Sequence, residues 1–383
     1  MIGVIADDLT GAAELGAIGW RHGLRAEIVR NGSPDGAADL VCVDTDSRAS
    51  DPAVAANRAA AAAKMLRAAG AKWIYKKVDS VLRGQVTAEV EAVMKQLKLE
   101  RALLLPANPS LGRTIKGGHY FLRGRPLHKT EFAKDPHFPR RSSQVLRLVK
   151  VPENFSMRIA NGDHSLVDRT ISIGDVESPA DLQSWTSSCN EQMLPAGGAE
   201  FFNALLDAAN PAQTNGAPVE NFLPAGKEFF IVGTSTQAAR KFVTAERRKK
   251  TPVFSLPQEL AWGAVFSPAA VESVSQRVAV GFENSSRVIL NVGLPPVRDA
   301  EVARRLCEHV VCVAENVLQR MHVEKVFAEG GATAAELVRR MDWSRLEVVR
   351  ELAPGVATLT VGGGRKTFLT IKPGSYSWPT KWT

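Results

Sequence analysis

Four short clusters set carboxylates beside guanidinium or amide groups. They are Asp7-Asp8, Asp44-Thr45-Asp46-Ser47-Arg48, Asp79-Ser80-Val81-Leu82-Arg83, and the run Asn108-Pro109-Ser110-Leu111-Gly112-Arg113. Arginine forks pair with carboxylate or phosphate oxygens, while aspartates accept hydrogen bonds from hydroxyls or take a proton. Gathered in one place, Asp7, Asp8, Asp46, Arg48, Asp79, Arg83, Asn108 and Arg113 would grip a small ligand that carries both hydroxyls and an acid group. Each cluster alone has a plainer explanation: Asp8 or Thr10 would cap a helix, and the others would be turn motifs or surface ion pairs.

The elements around these clusters decide between the two. Ile2-Gly-Val-Ile-Ala is an apolar run of strand length that stops at Asp7-Asp8, and Leu15 and Ile18 then recur at helical spacing. Leu24–Val29 and Leu40–Val43 read as further strands, the latter running into Asp44–Arg48 before Ser50-Asp51-Pro52 opens an alanine-rich helix closed by Gly70. Trp73–Val78 is the next strand and meets Asp79–Gly84; Val86, Val90, Val93 and Leu97 mark one face of the helix after it. Ala102–Leu105 then delivers Asn108 and Arg113. Alternating strands and helices imply right-handed crossovers and a largely parallel sheet, so these strand ends share one edge, the edge where open α/β sheets bind ligands.

Beyond this point the chain reads as a long irregular loop, from Gly117-Gly118-His119 to Asp135-Pro136, of the kind that in compact domains is usually functional. His119, His128 and His137 lack metal-ligand spacing and are expected to be loop or substrate-contact residues. Ile171–Ile173 reads as a short strand, Ala180–Trp185 as a helix, and Asn210–Pro224, rich in Pro, Asn, Gly and Gln, as a linker. In the second half Glu228–Val232 is a strand breaking into Gly233-Thr234-Ser235-Thr236 before a helix near Gln237. Arg287–Asn291 is a strand, Asp299 starts a long helix, and Val323–Ala328 is a strand followed by Glu329-Gly330-Gly331-Ala332-Thr333. Thr333 and Glu336 fit a capping box, and two glycines before a helix N-terminus suit phosphate oxygens. N-capping or close helix packing explains such turns equally well. The tail carries Gly362-Gly363-Gly364 and Lys372-Pro373-Gly374-Ser375, and no GxxxxGK[ST] run occurs.

The bulk numbers narrow the class. At 383 residues, 45% hydrophobic and 23% charged, two domains are expected. The start meets two aspartates almost at once, which argues against a signal peptide, and no apolar run is long enough for a bilayer, so the expected location is cytoplasmic. Cys42, Cys189, Cys307 and Cys312 are scattered without CxxC spacing, which supports neither a protein-held metal site nor a disulfide framework. The +8 net charge suits an anionic small ligand; the basic residues are dispersed rather than striped with aromatics, so neither nucleic acid nor membrane is the expected partner. Arg247-Arg248-Lys249-Lys250 is expected to be a solvated helix end.

These residues resemble the four-carbon acid sugar kinase family, long filed as a domain of unknown function and related to 3-oxo-tetronate, threonate and erythronate kinases. The family's IADDLTGA stands at Ile5–Ala12, its DTDSR at Asp44–Arg48, its KxDSTLRGN at Lys77–Gln85, and its long PANPxxGR to FAxDP motif at Pro106–Pro136. The resemblance implies an α/β protein of two domains, each a largely parallel sheet flanked by helices: an acid-sugar-binding domain over 1–220 and a nucleotide-binding domain over 221–383. It implies ATP and Mg²⁺, with phosphate transferred to a sugar-acid hydroxyl. By the same resemblance Asp7, Asp46, Ser47, Arg48, Lys77, Arg83, Asn108 and Arg113 would contact substrate, with Asp8 preferred to Asp79 as the base. The family's nucleotide motifs map to Thr234, Ser235 and Thr236, to Gly330, Gly331, Ala332 and Thr333, and to Gly374. Departures concentrate there: Ala332 replaces the acid of the family's GGET, the KPGGFG-like tail is altered, and Val81 stands for a threonine.

Two rivals remain on sequence grounds. One is a sugar-acid-binding protein whose nucleotide site has degenerated, suggested by Ala332 and the altered tail. The other is a phosphohydrolase, because Asp44-Thr45-Asp46-Ser47 matches the DxDx[ST] of aspartyl-phosphate enzymes. The particular four-carbon acid is not legible, since the candidates differ by one stereocentre or oxidation level. Oligomeric state is open too, a symmetric homodimer being the commonest assembly of a soluble enzyme.

Overall fold

The computed structural model describes every residue except 136, 137, 166, 210–222, 263–266, 296, 298, 362–365, 375–377 and 380–383, and the side chain of Trp262. His137, most of the expected linker, the triple glycine and Ser375 therefore lie outside the described residues. The chain divides into two compact units, Met1–Pro218 and Val219–Thr383. Among the described residues no helix is long and apolar enough to cross a membrane.

The first unit runs β1 (Ile2–Ala6), α1 (Leu9–Arg21), β2 (Ala26–Val29), β3 (Leu40–Asp44), α2 (Pro52–Ala68), β4 (Trp73–Lys77), α3 (Val86–Leu97), β5 (Arg101–Leu105), β6 (Arg113–Lys116), β7 (His119–Leu122), β8 (Arg125–Pro126), α4 (Val145–Leu148), β9 (Ser156–Ile159), β10 (Thr170–Ile173), α5 (Pro179–Thr186), β11 (Met193–Gly197) and α6 (Ala199–Ala209). Its main sheet has the order β2-β3-β1-β4-β11-β5-β10-β9, and every neighbouring pair is parallel. The carboxyl ends of β1, β3, β4 and β5 thus lie on one edge, as the strand-helix alternation requires. β1 carries no side chain at Gly3 and buries Val4, Ile5 and Ala6 completely, as a strand covered on both faces does. The small residues of α2 (Ala55, Ala59, Ala62, Ala63) turn inward, and the helix packs along α3.

Two parts of this unit depart from the sequence reading. The first part of the stretch read as an irregular loop from Gly117 is instead ordered: residues 119–126 pair with Arg113–Lys116 in a small antiparallel sheet, β6-β7-β8. Its strands are short, with Gly117-Gly118 between β6 and β7 and Arg123-Gly124 between β7 and β8, which masks the alternation. β11 occupies a central position between β4 and β5 although it contains Pro195, a residue that ordinarily argues against a central strand.

The second unit runs β12 (Glu228–Val232), α7 (Gln237–Arg248), β13 (Val253–Ser255), α8 (Gln258–Trp262), α9 (Pro268–Gly281), β14 (Arg287–Asn291), α10 (Ala300–Arg320), β15 (Lys325–Glu329), α11 (Gly331–Arg340), β16 (Arg345–Ala353), β17 (Val356–Val361) and β18 (Thr367–Lys372). The strands order as β13-β14-β12-β15-β18-β17-β16. The first five are parallel and the last two join antiparallel. Phe230 and Phe327 stack at 4.2 Å between ring centres at the middle of this sheet, and Trp378 meets both rings edge-on. The basic run Arg247–Lys250 is indeed the exposed end of α7.

Candidate active site on two sheet edges

In the first unit the carboxylates and guanidiniums pair in a defined way. Asp8, in extended backbone, caps α1 by accepting the Gly11 amide at 2.8 Å, so the capping explanation is correct as far as it goes. Its other oxygen takes Arg48 Nη1 at 2.6 Å. Arg48 also grips both oxygens of Asp7, through Nε at 2.7 Å and Nη2 at 2.8 Å. The Ser47 and Arg48 amides donate to the Asp7 carbonyl, which locks the loop after β3 against the end of β1. Burial works against ionisation of Asp7, yet the Arg48 guanidinium prevails and holds its carboxyl below the usual carboxylate range.

Asp79, just past β4, is more heavily engaged. It accepts the amides of Val81 and Arg83 at 3.2 and 3.0 Å and both Nε and Nη2 of Arg83 at 3.0 and 2.8 Å. Against the opposing effect of burial, Arg83 and then Arg48 keep it ionised far below the ordinary range. Arg83 reaches on to Asp135 at 3.3 Å. Arg113 donates through Nη1 to Ser80 Oγ, and it and Arg83 each lie over the Phe132 ring, at 6.0 and 5.8 Å from the ring centre. Asn108 is buried, its Oδ1 accepting the Glu200 amide at the start of α6 and its backbone bridged to Arg113.

Three expected contact residues stand apart from the exposed face of this cluster. Asp46 turns outward in a left-handed conformation and pairs with Arg30 at 3.2 Å, away from Arg48. Ser47 is buried and hydrogen-bonds Glu89 at 2.5 Å. Lys77 points to the Val78 carbonyl at 3.1 Å and to Glu14 at 3.4 Å. Sequence reasoning missed the pair behind them, Lys76 and Glu89, joined at 2.9 Å and both essentially inaccessible. Two consecutive lysines in a buried strand were a usable signal, since successive side chains face opposite sides and at least one must find an internal anion. Burial pushes the Glu89 carboxyl up while Lys76 pulls it the other way.

The phosphohydrolase alternative fails on Asp44. A nucleophile must be reachable, but Asp44 is 2% exposed, and it is held by Arg30 Nε at 2.8 Å and the Asp46 amide at 2.9 Å. Burial pushes its carboxyl up to about 7 despite Arg30.

In the second unit the parallel register sets Val232, Glu329 and Lys372 side by side. The turns that follow, carrying Thr234, Ser235 and Thr236, then Gly330 to Thr333, then Gly374, therefore come together. The Thr236 hydroxyl caps α7 through the Ala239 amide and donates to the Gly374 carbonyl at 2.9 Å. Gly330 has φ of 106°, open to glycine but strained for other residues, and α11 begins directly after it with no side-chain cap. The expected capping box is therefore wrong: Thr333 lies inside the first turn, buried, and Glu336 pairs with Arg339 and Arg340. The glycine turn brings the helix start forward, leaving the first-turn amides without a side-chain acceptor. Ala332 is exposed on that turn. Glu329 does not replace the missing acid, because it is buried, 3.1 Å from Lys372 Nζ, and accepts Trp378 Nε1 at 2.7 Å. A cleft of about 330 Å³ opens beside Thr234 and Ser235, walled by Arg240 and Arg247 of α7, by Asn291 at the end of β14 and by Gly293 after it. Among the described residues no three His, Cys, Asp or Glu side chains are grouped to hold a metal ion.

Fold and edges together define an α/β protein of two units with mostly parallel sheets and polar strand ends. More specifically, the chain belongs to the family described as the Sugar-binding N-terminal domain, whose profile matches residues 2–205. Curated relatives extend over nearly the whole chain. A 3-oxo-tetronate kinase of Pseudomonas fluorescens is 26% identical, covering 98% of this chain and 94% of its own length. A D-threonate kinase of Salmonella typhimurium is 27% identical, covering 92% and 89%, and a D-erythronate kinase of Heliobacterium modesticaldum is 25% identical, covering 94% and 90%. A Haemophilus influenzae protein of family DUF1537 shares the fold, with a TM-score of 0.75 and 20% identity over 98% of this chain and 96% of that one.

Proposed function

We propose that this protein is an ATP-dependent kinase that phosphorylates a hydroxyl of a four-carbon acid sugar. The observation that carries the proposal is that relatives named as kinases of three such acids match across 92–98% of the chain, both units included. The geometry supports it. In the first unit the strand ends gather carboxylates for hydroxyls and guanidiniums for an acid group, the donor and acceptor set a sugar acid needs. In the second, Gly330, Gly331 and Thr333 at an uncapped helix start, with Thr234, Ser235, Thr236 and Gly374, make a turn cluster suited to phosphate oxygens. The nucleoside would extend into the adjoining cleft.

Bound ATP·Mg²⁺ supplies the phosphoryl group and offsets charge on its oxygens, so the protein's own task is mainly positioning. Asp8 is the better base. Its side chain is 24% exposed and makes one bond to an amide and one to Arg48. Asp79, by contrast, accepts three donors on one oxygen and one on the other and is held strongly ionised, which makes it a poor proton acceptor.

The test is ADP release from ATP·Mg²⁺ across four-carbon acids and 3-oxo-tetronates, with a no-substrate control. Release with one acid supports the kinase and identifies its substrate. Binding of an acid without ADP release supports the second reading, a sugar-acid-binding protein with a degenerate nucleotide site, which Ala332 favours. Activity appearing in Ala332→Glu would then locate the defect.

A further inference from the structure

Among the described cations gathered at the strand ends of the first unit, charge pairing sets Arg113 apart. Arg48 is matched by Asp7 and Asp8, and Arg83 by Asp79 and Asp135. Lys76 is matched by Glu89, Lys77 by Glu14, and Arg30 by Asp44 and Asp46. Buried Arg140 is spent on the carbonyls of Leu82, Phe138 and Leu148. Arg113 makes no ion pair with any described carboxylate; its one side-chain hydrogen bond goes to Ser80, and its Nε, shut off from water, donates to nothing. A buried donor left unsatisfied costs about 1–3 kcal/mol. The guanidinium is also fixed in place, pinned by Ser80 at one end, laid against Phe132, and tied through its backbone to Asn108.

We infer that Arg113 is the residue that recognises the acid group of the substrate, and that it thereby separates sugar acids from neutral polyols of the same length. Arg48 and Arg83 instead hold Asp7, Asp8 and Asp79 ionised for the hydroxyls. A carboxylate arriving at Arg113 meets a preoriented, unneutralised fork and displaces no internal anion, whereas at Arg48 or Arg83 it would compete with two aspartates. This inference rests on the proposed acid-sugar substrate.

The experiment is calorimetric binding of D-threonate, D-erythronate and the matching tetritols, without nucleotide, to the wild type, Arg113→Met and Arg113→Ala. Arg113→Met is expected to lose about 100-fold in affinity for the acid, falling to the wild type's affinity for the tetritol. Methylguanidinium is expected to restore acid binding to Arg113→Ala. An equal loss for acid and tetritol, or no rescue, would show a merely structural arginine and overturn the inference. So would unchanged acid binding with reduced kcat, which would place Arg113 on the transferring phosphate. Should the wild type bind an acid and release no ADP, the kinase reading falls while the Arg113 assignment stands or falls on the binding ratios alone; a wild type that binds no four-carbon acid removes the assignment.

Discussion

Replacing Arg48 by Met keeps the aliphatic stem but removes the cation that grips Asp7, a residue 2% exposed with both oxygens on that guanidinium. In the wild type the folded pKa of Asp7 lies below its ordinary 3.8. The pair therefore contributes stability that is present above about pH 4 and lost as pH falls through the folded value. Without Arg48, burial dominates and the folded pKa rises, so the variant is favoured at low pH and weakens as pH increases. Protonating Asp7 rather than burying its charge costs about 1.4 kcal/mol per pH unit above 4. The deficit relative to wild type should then be at least about 1.4 kcal/mol at pH 5 and about 4 kcal/mol at pH 7, in line with the ~3–5 kcal/mol typical of breaking a buried pair. For a unit of this size that is a Tm loss of about 3–6 °C growing to about 8–16 °C. Thermal scans at both pH values, with hydrogen exchange of the β1 peptide to confirm that the first unit is the one opening, would measure it. Addition of Asp7→Asn should recover most of the loss at pH 7. A deficit that is the same at both pH values, or no recovery in the double variant, would refute this account of the cluster.

Other expectations follow from the same geometry. Asp44→Asn should flatten the pH dependence of stability between about pH 4 and 7: a carboxyl raised from 3.8 to about 7 stabilises fully below 4 and loses up to about 4 kcal/mol as pH rises through 7, readable as urea midpoints at pH 5 and 8. Gly233→Ala would place a methyl 2.0 Å from Thr333 Oγ1 and should destabilise the second unit by about 1–3 kcal/mol, with Thr333→Ala recovering most of it in thermal scans. Trp378→Phe removes the 2.7 Å donor to buried Glu329 and should cost about 1–3 kcal/mol in urea denaturation. If the proposed reaction is correct, Asp8→Asn should cut turnover by about 100-fold or more with little change in KM, whereas Asp79→Asn should lower Tm more than any other conservative change in the cluster.

The edges of both sheets were legible in the sequence because they depend only on order. A strand followed by a crossover helix fixes which end of the strand is exposed, so Asp7, Asp8, Arg48, Asp79, Arg83 and Arg113 could be assigned to one edge without coordinates. In the second unit Thr234, Gly330 and Gly374 were grouped only through the family resemblance; the register of β12, β15 and β18 brings their turns together. Elements whose local signals conflict with their position were not legible. β11 carries Pro195 in a central strand, where its pairing with β4 begins only at Ala196 while Pro195 itself is registered against Leu103 of β5. The meander at 113–126 rests on backbone pairing across glycine turns rather than on apolar alternation.

Pairing within an edge was the least legible feature, and its physics explains why. Once several aspartates and arginines share a few ångströms, their partners are chosen by which charges are most desolvated, and that depends on side chains far away in sequence. Glu89 on α3 satisfies Lys76 and Ser47, which leaves Arg48 free to close on Asp7 and Asp8. Asp135, beyond the meander, completes Arg83. With those partners in place the positive charge left over falls on Arg113, a residue that the sequence ranks no higher than its two neighbours. The residue with the most specific expected role is thus identified by subtraction: an arginine held in place by a hydroxyl and an aromatic ring, with no anion of its own among the described residues, is preorganised for an anion supplied from outside the chain.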